Sequence, residues 1–243
     1  MLTFFSGFGL GTILTPVFAI YFPIEIAIAM TAVVHLLNNV FKFGLTFRHI
    51  EMQTLWRFGI PSILGAFLGA YILTQLSDNQ IFGTIELFGK TRQITLIKLI
   101  IAIVMCVFAL IELIPYFKKL TFKHQYLSIG GLLSGFFGGL SGHQGALRSM
   151  FLVKGELTKQ QFISTGIVIA CLVDITRLIF YKSTFQYFDF FEQKNYLFAA
   201  LIPAIMGAYI GHKMIEKVTI HQVQKIVSFG LILIAFALGF GVI

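Results

Sequence analysis

Long apolar runs separated by short polar connections make up most of this chain. A helix needs about 20 apolar residues to cross the hydrocarbon core of a bilayer. Runs of that length predict eight transmembrane segments, over residues 2–22, 24–46, 58–76, 94–114, 126–153, 160–181, 196–216 and 222–243. The connections show no apolar pattern typical of a separate folded domain, so we expect the protein to function within the bilayer.

The composition agrees with this pattern. Apolar residues form 57% of the sequence and charged residues 12%, whereas a typical soluble domain has roughly 25% charged residues. We therefore predict an all-α integral membrane protein. The net charge of +8 comes from Lys and Arg residues scattered between the apolar segments, which is typical of membrane-flanking charge and does not indicate a nucleic-acid partner. These Lys and Arg residues divide almost evenly between the two sides of the membrane. They weakly favour a cytoplasmic position for both termini.

The two halves of the chain resemble each other. Three echoes occur in the same order: SGF at residues 6–8 and 134–136, Asn39/Lys42 and Asp174/Arg177, and IPSILGAFLG at 60–69 beside IPAIMGAYIG at 202–211. Close packing of helices through small residues is the alternative explanation for any single echo. Internal repetition is typical of secondary transporters, so we predict repeats over residues 1–115 and 125–243, joined by a basic loop at 116–124.

The fifth segment has a broken pattern. A straight helix over residues 126–153 would be about 42 Å long, against a hydrocarbon core of about 30 Å. An opened helix is tolerated in a membrane only where protein or a water-filled cavity satisfies its backbone. A helix restarting here would direct its positive end at such a cavity. Glycine-rich GGLSGHQGALRS therefore predicts an anion site at Gly142, His143, Gln144 and Arg148.

The first segment carries a counterpart, SGFGLGTILTP. Glycines precede Pro16, which lacks the N–H group that would bond back along the helix. We predict that Gly9, Gly11 and Thr12 belong to a second broken segment that faces the first across one substrate. Four crossings in each half predict a parallel repeat, and this count fails if the broken segments are re-entrant.

The second segment contains a polar stripe. His35, Asn38, Asn39 and Lys42 are spaced i, i+3, i+4 and i+7, which places them on one helical face. Two interpretations remain open. The stripe either lines a substrate or proton pathway, as ionisable residues in membranes usually do, or it makes interhelical hydrogen bonds while Lys42 extends to the membrane surface.

The sixth segment contains two opposite charges. Asp174 and Arg177 are spaced i, i+3 and can pair on one face, which lowers the cost of placing both in the membrane. A structural ion pair and a gate both explain them.

The motifs GLGTILTP in the first half and SGFFGGLSGHQG in the second resemble the sulfite exporter TauE/SafE family, also described as the toluene sulfonate uptake permease family. The resemblance extends over essentially the whole chain. It implies transport of sulfite, organosulfonates or related anions across the bacterial inner membrane, with protons as a candidate coupling ion. The family's consecutive glycines are interrupted here by Thr12, His143 and Gln144, and no proline in the second half matches Pro16.

We therefore expect a secondary transporter that works by alternating access, in which His35 or His143 carries a coupling proton. The expected partners are a small anion, the lipid bilayer and a second copy of the chain, with no cofactor and no metal. Three alternatives remain open: transport of another small organic anion, a passive channel, and a membrane enzyme. The enzyme has the least support, since the sequence contains no HExxH, CxxC or GxSxG motif.

Overall fold

The computed structural model describes residues 10–76, 81–87, 89–114, 116, 120, 122–152, 157–185, 192–213 and 221–243. Nine α-helices occupy most of this part of the chain. Those of the first half are α1 (Leu10–Ala19), α2 (Ile24–Thr46), α3 (Met52–Gln75, with a π-helical turn at Leu55–Gly59) and α4 (Leu96–Leu113). Those of the second half are α5 (Leu127–Ser141), α6 (Gly145–Leu152), α7 (Lys159–Phe185), α8 (Lys194–Lys213) and α9 (His221–Gly239).

Four of these helices, α2, α3, α4 and α7, are long and apolar enough to cross a membrane. The helices α1, α8 and α9 contain shorter apolar stretches. Large apolar side chains cover the outside of the bundle, as the exposed Trp56, Leu64 and Phe229 illustrate. A surface of this kind suits contact with lipid.

A β-hairpin corrects the all-α expectation. The strands β1 (Ile81–Leu87) and β2 (Lys90–Thr95) pair in antiparallel fashion between α3 and α4, where the sequence pattern predicted only a connection. Gly89 adopts a φ of 71°, which a non-glycine residue rarely tolerates, and it closes the turn. The signal in the sequence is this glycine between two short stretches rich in Ile and Thr.

The single crossing expected over residues 126–153 is replaced by a helical hairpin. Helix α5 ends at Gly142, whose φ of 83° is left-handed and terminates the helix. Helix α6 then runs back along α5: the Ser134 hydroxyl donates to the Gln144 carbonyl at 2.8 Å, and the Phe151 ring lies against Gly130 near the start of α5. The chain therefore re-enters on the side from which it came, and the count of eight crossings is wrong here.

Helices α2 and α7, and likewise helices α4 and α9, lie next to each other and run in opposite directions. In the α2/α7 pair, His35 contacts Asp174 while Thr46, at the end of α2, accepts a bond from Ser164 near the start of α7. In the α4/α9 pair, Glu112 near the end of α4 contacts Ser228 near the start of α9, and Gly239 at the end of α9 lies against Ala102 in the first half of α4. These directions contradict the parallel repeat expected from four crossings per half.

The α5–α6 hairpin is held against the first half by very close packing. Helices α3 and α5 run parallel, with Gly65 against the backbone of Leu132 and Gly135 against the backbone of Ser62. A side chain at either glycine would overlap a carbonyl group of the neighbouring helix. Small residues allow helix backbones to approach this closely in membranes.

Candidate substrate site at the helix break

Asp174 of α7 is the centre of a buried polar network. Its Oδ1 atom accepts hydrogen bonds from Arg177 Nη2 at 2.8 Å and Nε at 3.1 Å, and its Oδ2 atom lies 2.6 Å from His35 Nδ1. Asp174 and Arg177 are both 0% exposed. The pairing predicted from the i, i+3 spacing is therefore present. A buried charge is tolerated only when it is paired and hydrogen-bonded. Each group therefore offsets the free-energy cost of burying the other.

The polar stripe of α2 faces this network. His35 donates from Nδ1 to Asp174, and its Nε2 atom lies 3.5 Å from Asn39 Nδ2. Asn38 lies one turn beyond His35. Its amide nitrogen donates to the Ala204 carbonyl and its amide oxygen accepts from Lys42 Nζ, both at 3.1 Å. Lys42 is 3% exposed. The interpretation in which Lys42 extends to the membrane surface is therefore wrong.

The tip of the α5–α6 hairpin touches the same network. Gln144 Nε2 donates to Asp174 Oδ1 at 3.4 Å, and Arg177 Nη1 donates to the Gly138 carbonyl at 3.4 Å. Tyr181, one turn beyond Arg177, donates its hydroxyl to the Gly139 carbonyl. The last carbonyls of a helix have few partners within that helix. The Gly142 N–H donates to the Gly138 carbonyl at 3.0 Å, and Arg177 and Tyr181 of α7 supply further donors at the end of α5.

Helix α1 also contacts the break. A first side-chain carbon at Gly11 would lie 3.1 Å from the Gly142 carbonyl oxygen and 3.9 Å from Thr31 of α2. The hydroxyls of Thr15 and Thr31 are buried and have no hydrogen-bond partner among the described residues. Unsatisfied buried polar groups are uncommon in native proteins. Their presence where α1, α2 and the break meet indicates a place for a polar ligand.

Arg148 lies on α6, one turn beyond the break. Its backbone N–H bonds to the Gln144 carbonyl at 3.1 Å, and its side chain lies against Gly166 of α7, where an added carbon would be 3.5 Å from Arg148 Nε. Gly166 precedes Asp174 by about two helical turns. The buried guanidinium therefore lies on the α7 side of the hairpin, near the Asp174 network.

The described residues of the predicted site thus lie in one region, and they divide into a hydrogen-bonded network and the residues around it. His35, Asn39, Gln144, Asp174 and Arg177 form the hydrogen-bonded network. The others adjoin it: Gly11 and Gly142 in mutual contact, Thr12 buried on α1, His143 buried at the break, Asn38 with Lys42, and Arg148 against α7. Gly9 lies outside the described residues.

Sequence reasoning missed Tyr181, Thr31 and Thr15. Tyr181 follows Asp174 at i+7, and Thr31 precedes His35 by four residues, so each continues a stripe that the sequence already displays. The helical spacing was therefore sufficient to find these two residues. Thr15 follows Gly11 at i+4, but only the contact between Gly11 and Gly142 indicates that this face of α1 is buried against the break.

A comparison with known protein families matches residues 1–238 to the family described as sulfite exporter TauE/SafE. The chain belongs to this family. It is accordingly a multi-pass membrane transporter and not an enzyme. The comparisons with curated proteins and with solved structures found no match to the chain. In this TauE/SafE transporter, the helix break and Arg148 lie in the second glycine-rich motif. Lys42 and Arg177 lie on α2 and α7, which pack near the break.

Proposed function

We propose that this transporter carries small sulfur-containing anions, such as sulfite or organosulfonates, across the bacterial inner membrane by alternating access. Family membership supports an anion substrate of this kind. The observation that carries the proposal is the helix break at Gly142, where α6 begins in the protein interior. A helix start offers unpaired N–H groups and a partial positive charge. A small organic anion other than a sulfonate is the second candidate.

The charges around the break support an anion as well. Lys42, Arg148 and Arg177 are buried cations in this region, and Asp174 is the one buried carboxylate among the described residues beside them. We assign substrate contact to the break and to Arg148. Asp174, Arg177 and His35 form the gate in this proposal, and His35 is placed to carry a coupling proton because its Nδ1 atom shares a hydrogen bond with the carboxylate.

Replacing Arg148 by glutamine is expected to weaken anion binding about tenfold or more, because a hydrogen bond to a charged group contributes roughly 1.5–3 kcal/mol. Binding of sulfite and of a short alkyl sulfonate to the detergent-purified protein, measured by calorimetry, checks this result. Arg57→Gln is the matched control, since Arg57 is exposed at the start of α3 and bonds His124. Unchanged affinity in a folded Arg148→Gln variant would remove Arg148 from the site.

We further propose that the chain consists of two homologous halves, residues 1–115 and 125–243, joined by the basic segment 116–124 and inverted with respect to each other. The antiparallel α2/α7 and α4/α9 pairs support this arrangement. The contact of α3 with α7 also has its counterpart in the contact of α2 with α8. Three crossings in each half (α2, α3 and α4; α7, α8 and α9) replace the four expected, and this odd number fits an inverted repeat.

Re-entry changes how the basic residues divide between the two faces. The stretches of sequence that connect α2 to α3, α4 to α5, α6 to α7 and α8 to α9, with the adjoining helix ends, contain ten basic residues: Arg48, Arg57, Lys118, Lys119, Lys123, Lys154, Lys159, Lys213, Lys217 and Lys225. Five others fall on the face of the β-hairpin: Lys90, Arg92, Lys98, Lys182 and Lys194. Cytoplasmic connections carry the excess of Lys and Arg. We therefore place the β-hairpin and the carboxyl terminus outside, in contrast to the weak expectation from the sequence.

Cysteine labelling tests this topology. In a variant without the two native cysteines (Cys106→Ser/Cys171→Ser), Thr91→Cys on β2 is expected to react with a membrane-impermeant maleimide in intact cells. Gln53→Cys and Gln160→Cys are expected to react only after permeabilisation, because both lie on the basic face. Labelling of Gln160→Cys together with Thr91→Cys would show that residues 126–153 cross the membrane and would overturn the inverted arrangement.

A further inference from the structure

The two residues that follow Gly142 present buried hydrogen-bond acceptors at the helix break. His143 is 3% exposed and Gln144 is 2% exposed. The Nε2 atom of His143 and the Oε1 atom of Gln144 have no hydrogen-bond partner among the described residues. The hydrogen bonds made by the rest of each side chain decide whether these two atoms are donors or acceptors. That in turn decides which ligand groups can pair with them.

The hydrogen bonds around His143 place its ring hydrogen on Nδ1. Nδ1 lies 3.1 Å from the Ser141 carbonyl oxygen, which can only accept. It also lies 3.1 Å from the Ser141 hydroxyl, whose own hydrogen is donated to the Phe137 carbonyl at 3.0 Å. In the neutral ring, Nε2 therefore presents a lone pair. Stacking on Phe108, with ring centroids 5.7 Å apart, holds the ring in this orientation.

The orientation of Gln144 is fixed in the same way. Its Nε2 group donates to Asp174 Oδ1 at 3.4 Å. The reverse amide orientation would bring a carbonyl oxygen against a carboxylate oxygen, and both of these atoms are acceptors. The Gln144 Oε1 atom consequently presents a second buried lone pair, on the residue next to His143 in the chain.

Two buried acceptors do not suit a bare oxyanion, since an oxyanion also offers only lone pairs. They suit a group that carries a hydrogen, such as a hydroxyl, an amino group or a protonated oxygen. We propose that His143 and Gln144 make this transporter specific for small anions that also carry a hydrogen-bond donor. This inference rests on the proposed anion site: the cationic side chains bind the anionic end, and the two acceptors bind the donor end. The hydroxyls of Thr15 and Thr31 can donate or accept, so they do not discriminate.

The test compares two sulfonates of equal charge and nearly equal size. Hydroxyethanesulfonate carries a terminal hydroxyl where propanesulfonate carries a methyl group. Calorimetry on the purified full-length protein in detergent is expected to show at least about tenfold tighter binding of hydroxyethanesulfonate, because a site built to accept a hydrogen bond disfavours an analogue without the donor. His143→Phe keeps an aromatic ring on Phe108 and is expected to reduce the ratio of the two affinities severalfold.

Gln144→Met provides a second variant if His143→Phe does not fold, and His124→Phe is the matched control, since His124 lies in an exposed turn before α5. Equal binding of the two sulfonates to the wild type would overturn the inference and leave the anion site standing, as expected if a water molecule satisfies both acceptors. A preference that survives in both His143→Phe and Gln144→Met would overturn the assignment to these residues. Absence of binding by either sulfonate, together with absence of sulfite binding, would overturn the proposed function and this inference with it.

Discussion

Replacing Asp174 by asparagine is expected to destabilise the protein by about 3–5 kcal/mol, because removal of one partner leaves a buried charge uncompensated. Asp174 neutralises Arg177, and its two carboxylate oxygens accept from Arg177 and His35. An asparagine amide has only one acceptor oxygen, so its NH₂ group would face one of these donors. Denaturant titration of the detergent-purified variant measures the change in the free energy of unfolding.

A double variant provides the control. Asp174→Leu/Arg177→Met removes both charges and is expected to recover most of the stability, since well-packed apolar side chains can replace a buried ion pair at little cost. Loss of transport in this stable double variant would favour the gate over a purely structural pair. A fully stable Asp174→Asn variant would contradict a stabilising role for the Asp174–Arg177–His35 network. A variant in which Asp174 and Arg177 are exchanged tests the role of the pair less cleanly, because it would also place a guanidinium beside His35.

Replacing Gly135 by alanine is expected to destabilise the α5–α6 hairpin by about 1–3 kcal/mol, the usual cost of overpacking a core. The added methyl group would overlap the Ser62 carbonyl of α3. A backbone group cannot move aside as a flexible side chain can, so we expect the two helices to separate. Loss of transport and a lower midpoint of thermal unfolding are the measurements, and combination with Gly65→Ala is expected to add to the loss.

Two other helical glycines serve as matched controls for this prediction. Gly44 of α2 and Gly230 of α9 have no atom within 4 Å of an added side-chain carbon. Alanine at these positions reduces the conformational freedom of the unfolded chain and is expected to be neutral or slightly stabilising. If Gly135→Ala behaves like Gly44→Ala, the close packing of α3 and α5 does not hold the hairpin in place.

The local patterns of the sequence predicted many features of the site. The spacing of His35, Asn39 and Lys42 indicated a polar stripe on one helical face, and the spacing of Asp174 and Arg177 indicated that the two can pair. Both predictions rest on the period of one helix, which is fully encoded within a few turns of chain. The glycines around Gly142 likewise indicated a break, because the backbone conformation found there is one that glycine adopts readily.

The direction of the chain after the break could not be derived from the glycines. Glycine permits a helix to stop, but the packing of neighbouring helices decides whether the next helix continues across the membrane or turns back. Here Phe151 lies against Gly130, and Ser134 binds the Gln144 carbonyl. These contacts place α6 beside α5. Re-entry then changes the number of crossings, and α7 begins on the face from which α5 starts.

The sequence by itself determined that this protein lies in a membrane, where most of its helices run and that polar stripes interrupt some of them, because hydrophobicity and helical period are local properties. Only the tertiary structure decided that His35 binds Asp174, 139 residues away, and that Gly11 touches the break at Gly142. Such contacts depend on the relative direction of whole helices. That direction follows from packing between surfaces that are distant in the chain, and no short stretch of sequence contains both partners.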